Sequence, residues 1–464
     1  MLSQWDVIVI GAGPSGMSAA GMAAKIGLQV LVVDEQPSPG GQIYKNITGK
    51  NAGQRFHDDE LSDGTAVING FFNQENICYY PNTVVWFIEK GRILCSMEGK
   101  KKEFKGIHIV VATGAMERPV PFRGWTLPGV MTAGSADLLH KSSGVLPHGP
   151  VVIAGNGPLL EKIQMTLHQR GVEIAAVADM SSKVKQAASL IHIPKALGDM
   201  SFLFKGAMMK KENLFSRVKT VSQVTGIRAE GEGAFEKLVL STKRGDCSHF
   251  RGKTLLYHQG VIPRTHITKT LNVEHAWDRR QRYWYPKTDR YGATNVSGVH
   301  VVGDGAFVHG AAASVCKGEL AALDIALQMG CICVEERKNL EKNIRSKYRK
   351  SLCTRDFIDG WFAPSKDIFH VDDDVTVCRC EGGSAGDIRN AVLEGCLNVN
   401  DIKIRTRCGM GPCQGRMCSS ALSEIAARAA GVSPETMEPL KSRSPIRPIP
   451  FGEACSIAEE PLPN

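Results

Sequence analysis

The chain has 464 residues, 43% hydrophobic and 22% charged, which is too long for one small core and typical of a globular protein of two to four domains. Its formal net charge of +9 is modest and spread along the chain, which does not select nucleic acid as a partner, and no apolar run approaches the ~18–20 residues of a membrane span. The opening MLSQWDVIVIGAG has neither the basic flank nor the cleavage site of a secretory leader, so a cytoplasmic chain is expected, in which fourteen cysteines are not a disulfide framework.

The first predicted strand, residues 6–10 (DVIVI), suits the buried middle of a parallel sheet. Gly11, Ala12, Gly13, Pro14, Ser15 and Gly16 follow as G-x-G-x-x-G, then an alanine-rich helix over 17–26 that stops at Gly27. A second strand, 30–33, ends on Asp34, at the distance from the glycines where a ribose-binding acid stands in dinucleotide folds. Gly11 permits the tight turn, Gly13 lets backbone approach a pyrophosphate, and Gly16 lets helix and strand pack closely. The pyrophosphate is expected on the helix N-terminus, where free N–H groups and the dipole favour an anion. Glu35 is the competing acid; Asp34 is preferred because it ends the strand, with Gly40, Gly41 and Gln42 following.

Farther along, 110–115 read as a strand closing on an Ala-Thr-Gly turn at Thr113 and Gly114. Residues 151–154 and then Gly155, Asn156, Gly157, Pro158, Leu159 and Leu160 repeat the first pattern, but Leu160 replaces the third glycine and would crowd a nucleotide there. Asp179 follows the next strand as a spare ribose acid. A strand at 301–302 runs into Gly303, Asp304 and Gly305, followed by a small-residue helix over 311–327. Residues 338–350 carry basic charge at helical spacing, as on a solvated or subunit-facing helix.

The cysteine distribution is the densest signal. Six of the fourteen fall between Cys378 and Cys418: a C-x-C pair at Cys378 and Cys380, a C-x4-C pair at Cys413 and Cys418, with Cys396 and Cys408 between. Ser384 and Asp387 form a capping box for one helix, and 415–429 read as a second, with Cys418 in its first turn, where the positive helix end steadies a thiolate. Soft thiolates in a short glycine-rich helical domain favour an iron–sulfur centre, with structural zinc as the alternative.

The order of strand, glycine turn, Ala-Thr-Gly turn and Gly-Asp turn resembles the glutathione-reductase-like flavoproteins with two dinucleotide-binding domains. The resemblance implies an α/β fold of two Rossmann-like domains, with Asp304 reaching the ribityl and phosphate part of FAD. The run CRCE followed by RCGMGPCQGRMC resembles the bacterioferritin-associated-ferredoxin-like (BFD-like) [2Fe–2S] domain. That domain is carried by the large subunits of the hydrogen cyanide synthase, opine oxidase and hydroxyproline dehydrogenase family. The resemblance implies Cys378, Cys380, Cys413 and Cys418 as ligands, with Cys408 as the alternative. Residues 114–119, 124–130 and 258–263 are similar to the sarcosine oxidase alpha subunit, and the proline-rich tail at 443–450 resembles an arm laid against a partner.

The organisation implied is a FAD-type domain over 1–115 and 265–330 and a degenerate NAD(P)-type insert over 116–264. A linker with a basic helix spans 331–371, the [2Fe–2S] domain 372–430, and a subunit-contacting tail 431–464. The resemblance further implies a separate FAD-containing beta subunit that oxidises the CH–NH bond of a small amine or amino acid, of hydroxyproline, proline, opine, glycine or sarcosine type. FMN at the subunit interface and a small ferredoxin-like subunit belong to the same picture. Electrons are expected to leave through flavin and [2Fe–2S] to a quinone or other respiratory acceptor, in the cytoplasm or at the inner face of the cell membrane. Two other readings stay open: a relay and assembly subunit with NAD or ATP in the cradle, and a self-contained NAD(P)H:acceptor reductase. His258 and His309 lie beside these motifs, but neither is assigned a catalytic role.

Overall fold

Strand Gln4–Ile10 is apolar on both faces from Val7 onward, and both faces are buried, which places it at the centre of the first sheet. The computed structural model describes residues 4–49, 58–243, 245 and 247–456. Strands Ile77–Tyr80, Val30–Val33, Gln4–Ile10 and Lys100–Val111 run parallel in that order, and Val299–Val301 joins the far side of the last. The first half of Lys100–Val111 also carries an antiparallel hairpin, Val84–Glu89 and Arg92–Met97. Ile10 pairs with Val33 and Val111, and Val111 with Val301. This register brings the glycine turn, Asp34, the Ala-Thr-Gly turn and the Gly-Asp turn to one carboxyl edge, where ligands of such sheets bind.

Helices Pro14–Lys25 and Ala311–Gln328 cover one face and pack closely because their contact is built from small residues. A Cβ on Gly318 would lie 2.1 Å from the Ser15 carbonyl oxygen. The helix expected over 17–26 begins three residues earlier, since proline at its first position costs no hydrogen bond there.

Strands Ala115–Glu117 and Val261–Pro263 pair antiparallel where the chain leaves and re-enters this unit. Between them lies a second parallel sheet, in the order Thr220–Ser222, Ile174–Asp179, Val151–Asn156, Thr254–Gln259 and Val130–Thr132, with a three-stranded antiparallel sheet beside it. The chain is therefore α/β, with two Rossmann-like units and a helical C-terminal region.

The basic helix spans Val334–Leu352 and rests on Ala311–Gln328 through Ile344, while Arg337 and Arg345 flank the Tyr291 ring. In the cysteine-bearing region, helices Ala385–Leu393, Val399–Thr406 and Ser419–Ala429 bury Ile388, Ile402, Leu422 and Ile425. This core is continuous with that of the insert. Trp125 is the bolt: it is buried in the shared core, and its Nε1–H donates to the Thr376 carbonyl at 2.7 Å.

The expected arm runs back along this chain's own first unit. Ile446 is buried, its N–H donates to the Trp86 carbonyl at 2.8 Å, and Lys101 N–H donates to Ser456 Oγ at 3.2 Å. Residues 457–464 of that tail lie outside the described residues.

Candidate functional site

The glycine turn forms a cradle with a defined open side. Gly11 has φ +104°, and at Gly16 a Cβ would sit 1.8 Å from the Gly11 carbonyl oxygen. At Gly13 the nearest atom to a Cβ is Gly41 Cα at 3.8 Å, so the space in front of Gly13 is free. Gly13 caps helix Pro14–Lys25 without a side-chain hydrogen bond, leaving the N–H groups of its first turn to an anion. Gly40 N–H donates to the Ala12 carbonyl at 2.8 Å and holds the following loop against the cradle; Gln42 Nε2 reaches the Ala115 carbonyl at 3.0 Å.

Asp34 stands at the strand end, as expected, but its carboxylate is already engaged. Ala12 N–H donates to Oδ2 at 2.5 Å and Gln36 N–H to Oδ1 at 2.7 Å. Burial pushes its pKa up, against the pull of those two donors. Glu35, half-buried, is paired instead with Arg264 at 3.4 Å and with Arg447 of the tail. Thr113 Oγ1 donates to the Arg264 carbonyl at 3.3 Å, and Gly114 accepts from Arg264 N–H at 3.0 Å.

Asp304 follows Gly303 on the same edge. Its Oδ1 accepts from the N–H groups of His309 (2.8 Å) and Gly310 (2.9 Å) and from Ser314 Oγ (3.3 Å), while Oδ2 has no such partner among the described residues. The carboxylate thus fixes the start of helix Ala311–Gln328 and keeps one oxygen for a ligand. The cradle, the uncapped helix end and that oxygen fit an adenine dinucleotide.

The second glycine turn is built differently. Leu160 is buried among Ala133, Val151, Ile163 and Leu256, in the core behind the strand. Asn156, inside the turn, donates from Nδ2 to the Phe362 carbonyl at 3.2 Å, and Lys185 Nζ donates to the Pro364 carbonyl. The connection after helix Arg355–Trp361 therefore takes up polar groups that a nucleotide would use. His258 lies beneath Gly157, 3% exposed, with Nδ1 2.6 Å from Glu117 Oε1.

Five cysteines gather in the C-terminal region. The Cys378 thiol interacts with those of Cys408 and Cys418, and the Cys380 thiol with that of Cys413. The Cys408 and Cys418 thiols hold Cys378 well below the usual thiol range, aided by the Gly409 and Glu381 N–H groups. The same interaction with Cys378, together with burial, pushes Cys408 and Cys418 up. Cys378, Cys408 and Cys418 are buried, whereas Cys380 is exposed. A Cβ on Gly411 would lie 2.2 Å from Cys380 Cβ, so the loop folds tightly over that thiol. Cys418 is the N-cap of helix Ser419–Ala429 rather than a member of its first turn. Among the described residues no three or more His, Cys, Asp or Glu side chains are grouped to hold a single ion. Cys396 stays outside the five.

Sequence reasoning missed the charged groups that frame these sites. Arg118, 1% exposed, donates to the carbonyls of Gln259 (3.0 Å), Gln281 (2.5 Å) and Arg282 (2.7 Å) and locks the crossover between units. Burial lowers Lys269 to about 8, while Cys418 nearby favours its charge. No local signal in the sequence marks either residue: Arg118 follows Glu117, and Lys269 stands in the mostly polar run 265–270. Lys269 also lines a cavity of about 30 Å³ at the seam between the first unit and the cysteine-bearing region, with Ile262, His266, Arg416 and Ser419.

The family model of the pyridine nucleotide-disulphide oxidoreductases matches residues 5–330, and that of the sarcosine oxidase A3 domain matches residues 366–456. An opine oxidase subunit of Agrobacterium tumefaciens (strain Ach5) is 35% identical, over 98% of this chain and 92% of that protein. Hydrogen cyanide synthase subunit HcnB of Pseudomonas protegens (strain DSM 19095 / LMG 27888 / CFBP 6595 / CHA0) is 28% identical, over 96% of each. The crystal structure of L-proline dehydrogenase from P. horikoshii superposes with a TM-score of 0.72 at 19% identity, over 98% of this chain and 80% of that chain, and so shares the fold. The chain belongs to the pyridine nucleotide-disulphide oxidoreductase family and, within it, groups with the opine oxidase subunits.

Proposed function

We propose that this chain is the nucleotide-binding and [2Fe–2S]-carrying subunit of a multi-subunit flavoenzyme that oxidises the CH–NH bond of a small amine or amino acid. The observation that carries the proposal is the joining, in one chain, of a complete first dinucleotide cradle to five convergent cysteines. Gly11, Ala12, Gly13, Pro14, Ser15 and Gly16 would hold the pyrophosphate of FAD. Asp34 would serve the ribose, and Gly41, Gln42, Thr113, Gly114, Gly303 and Asp304 the remainder. Cys378, Cys380, Cys413 and Cys418 would hold the cluster, with Cys408 beside Cys378. Soft thiolates in a short glycine-rich helical domain favour an iron–sulfur centre over structural zinc.

When bound, flavin supplies hydride acceptance and the cluster single-electron capacity. The chain's own residues do the positioning. Backbone N–H groups hold the anion, Asp304 sets the helix end, Lys269 offers positive charge beside Cys418, and Arg118 fixes the two units against each other. The substrate pocket is assigned to a separate FAD-containing beta subunit. Among the described residues no helix is long and apolar enough to cross a membrane.

The test is anaerobic purification of the complex from its native host, followed by titration with octopine, proline, hydroxyproline, glycine, sarcosine and NADH. Bleaching of the flavin absorbance by one of the five amines and not by NADH is expected. A lone chain holding NAD or ATP and no flavin, or bleaching by NADH, would contradict the proposal.

A further inference from the structure

The positive charge is not spread evenly along the chain, contrary to the expectation from composition. Residues 183–219 contain eight lysines and arginines against two acidic residues. They fold into helices Lys183–Ser189, Ile193–Ala196 and Met200–Phe215 on the outside of the insert. The longest of these touches the body along one edge, where Leu203, Gly206 and Met209 are half-buried and Asn213 is buried. Asn213 Nδ2 ties that edge down, donating to the Glu161 carbonyl at 2.9 Å and to its carboxylate at 2.8 Å.

The opposite side of the same helix is apolar. Met200, Phe204, Met208 and Phe215 recur there at helical spacing, and their exposures are 60%, 66%, 39% and 71%. Ile191 and Leu197, on the preceding turns, continue the surface at 78% and 51%. A face of this kind on a protein surface marks an interaction site. Lys211 borders it, its Nζ 5.8 Å over the Phe215 ring, while Lys210 Nζ lies 5.2 Å over the Trp361 ring of the neighbouring helix Arg355–Trp361. The Lys211 stem extends the apolar surface and its ammonium group reaches the rim.

The type of cation separates the two classes of occupant. Protein interfaces enrich arginine and deplete lysine, yet all four basic residues within 190–215, Lys195, Lys205, Lys210 and Lys211, are lysine. An exposed apolar helix rimmed by lysine is the composition of a segment lying in the plane of a lipid surface. We propose that residues 190–215 seat this protein on an anionic phospholipid bilayer. Met200, Phe204, Met208 and Phe215 enter the acyl boundary, and the lysines of this segment meet the headgroups. None of these residues belongs to the cradle or the cysteine cluster, so the proposal does not depend on the cofactor assignment.

The experiment is co-sedimentation of the complex, purified from cells, with vesicles of phosphatidylcholine alone or with added phosphatidylglycerol, at low and high salt. Wild type should sediment with the anionic vesicles, less with the neutral ones, and be partly released by salt. Replacing Phe204→Glu together with Met208→Glu should weaken vesicle binding about tenfold or more. Because both positions are exposed, the melting curve should not change. The milder pair Lys210→Gln and Lys211→Gln should weaken only the anionic component. Absence of wild-type binding to either vesicle would overturn the proposal, as would equal binding by the glutamate variant. Loss of a co-purifying subunit from that variant, with vesicle binding intact, would instead assign the face to a protein.

Discussion

Gly16 and Gly13 belong to one motif but serve different masters. A side chain at Gly16 collides with the backbone of Gly11, so that glycine is demanded by the fold. Gly13 has φ −78°, which any residue adopts, and its Cβ would meet nothing closer than 3.8 Å. Alanine therefore fits the free chain at Gly13 and intrudes only on what binds there. Gly13→Ala should leave the melting of nucleotide-free protein within about 1 kcal/mol of wild type and lower the nucleotide recovered by acid extraction. Gly16→Ala should lose folded protein outright. Full nucleotide occupancy in Gly13→Ala would remove the cradle assignment. The motif made these glycines, Asp34 and Asp304 legible because their spacing is local. It did not show that Asp34 is already bonded to Ala12 and Gln36, nor that Glu35 is held by Arg264 and Arg447. Ion pairs between residues hundreds of positions apart leave no trace in local periodicity.

Among the elements, those with an unambiguous pattern were readable to the residue. Val30–Val33 is wholly apolar and bounded by turns, and Ser384 with Asp387 forms the capping box expected. Helix Met200–Phe215 was not anticipated, although Met200, Phe204 and Met208 recur at helical spacing, and periodicity alone does not tell that the face looks outward. The second glycine turn shows what a single exchange means for an element. Leu160 was expected to hinder a nucleotide, and its side chain has become part of the core behind the strand. Leu160→Gly should therefore destabilise the chain by about 3 kcal/mol, the cost of a cavity, without creating an NADH site, since Phe362 still takes up Asn156. Thermal melting and an NADH binding titration check this together. Gain of NADH binding with unchanged melting would show that Leu160 alone closed the site.

For the molecule as a whole, the order of units was visible from motif order, but the way they hold each other was not. The insert and the cysteine-bearing region share one core through Trp125, and the chain after Leu440 returns across the first unit to Glu35. The thiols are thereby fixed to the unit that carries the cradle, with Lys269 and Arg416 at the seam. One folded body is thus expected to carry both a dinucleotide and a [2Fe–2S] cluster. The decisive measurement is iron, acid-labile sulfide and electron paramagnetic resonance on anaerobically purified wild type and Cys413→Ser. Wild type should hold ~2 irons and ~2 sulfides per chain. It should also give a signal on reduction that Cys413→Ser loses while its nucleotide content stays unchanged. Zinc without sulfide in wild type, or an unaltered signal in Cys413→Ser, would contradict this assignment.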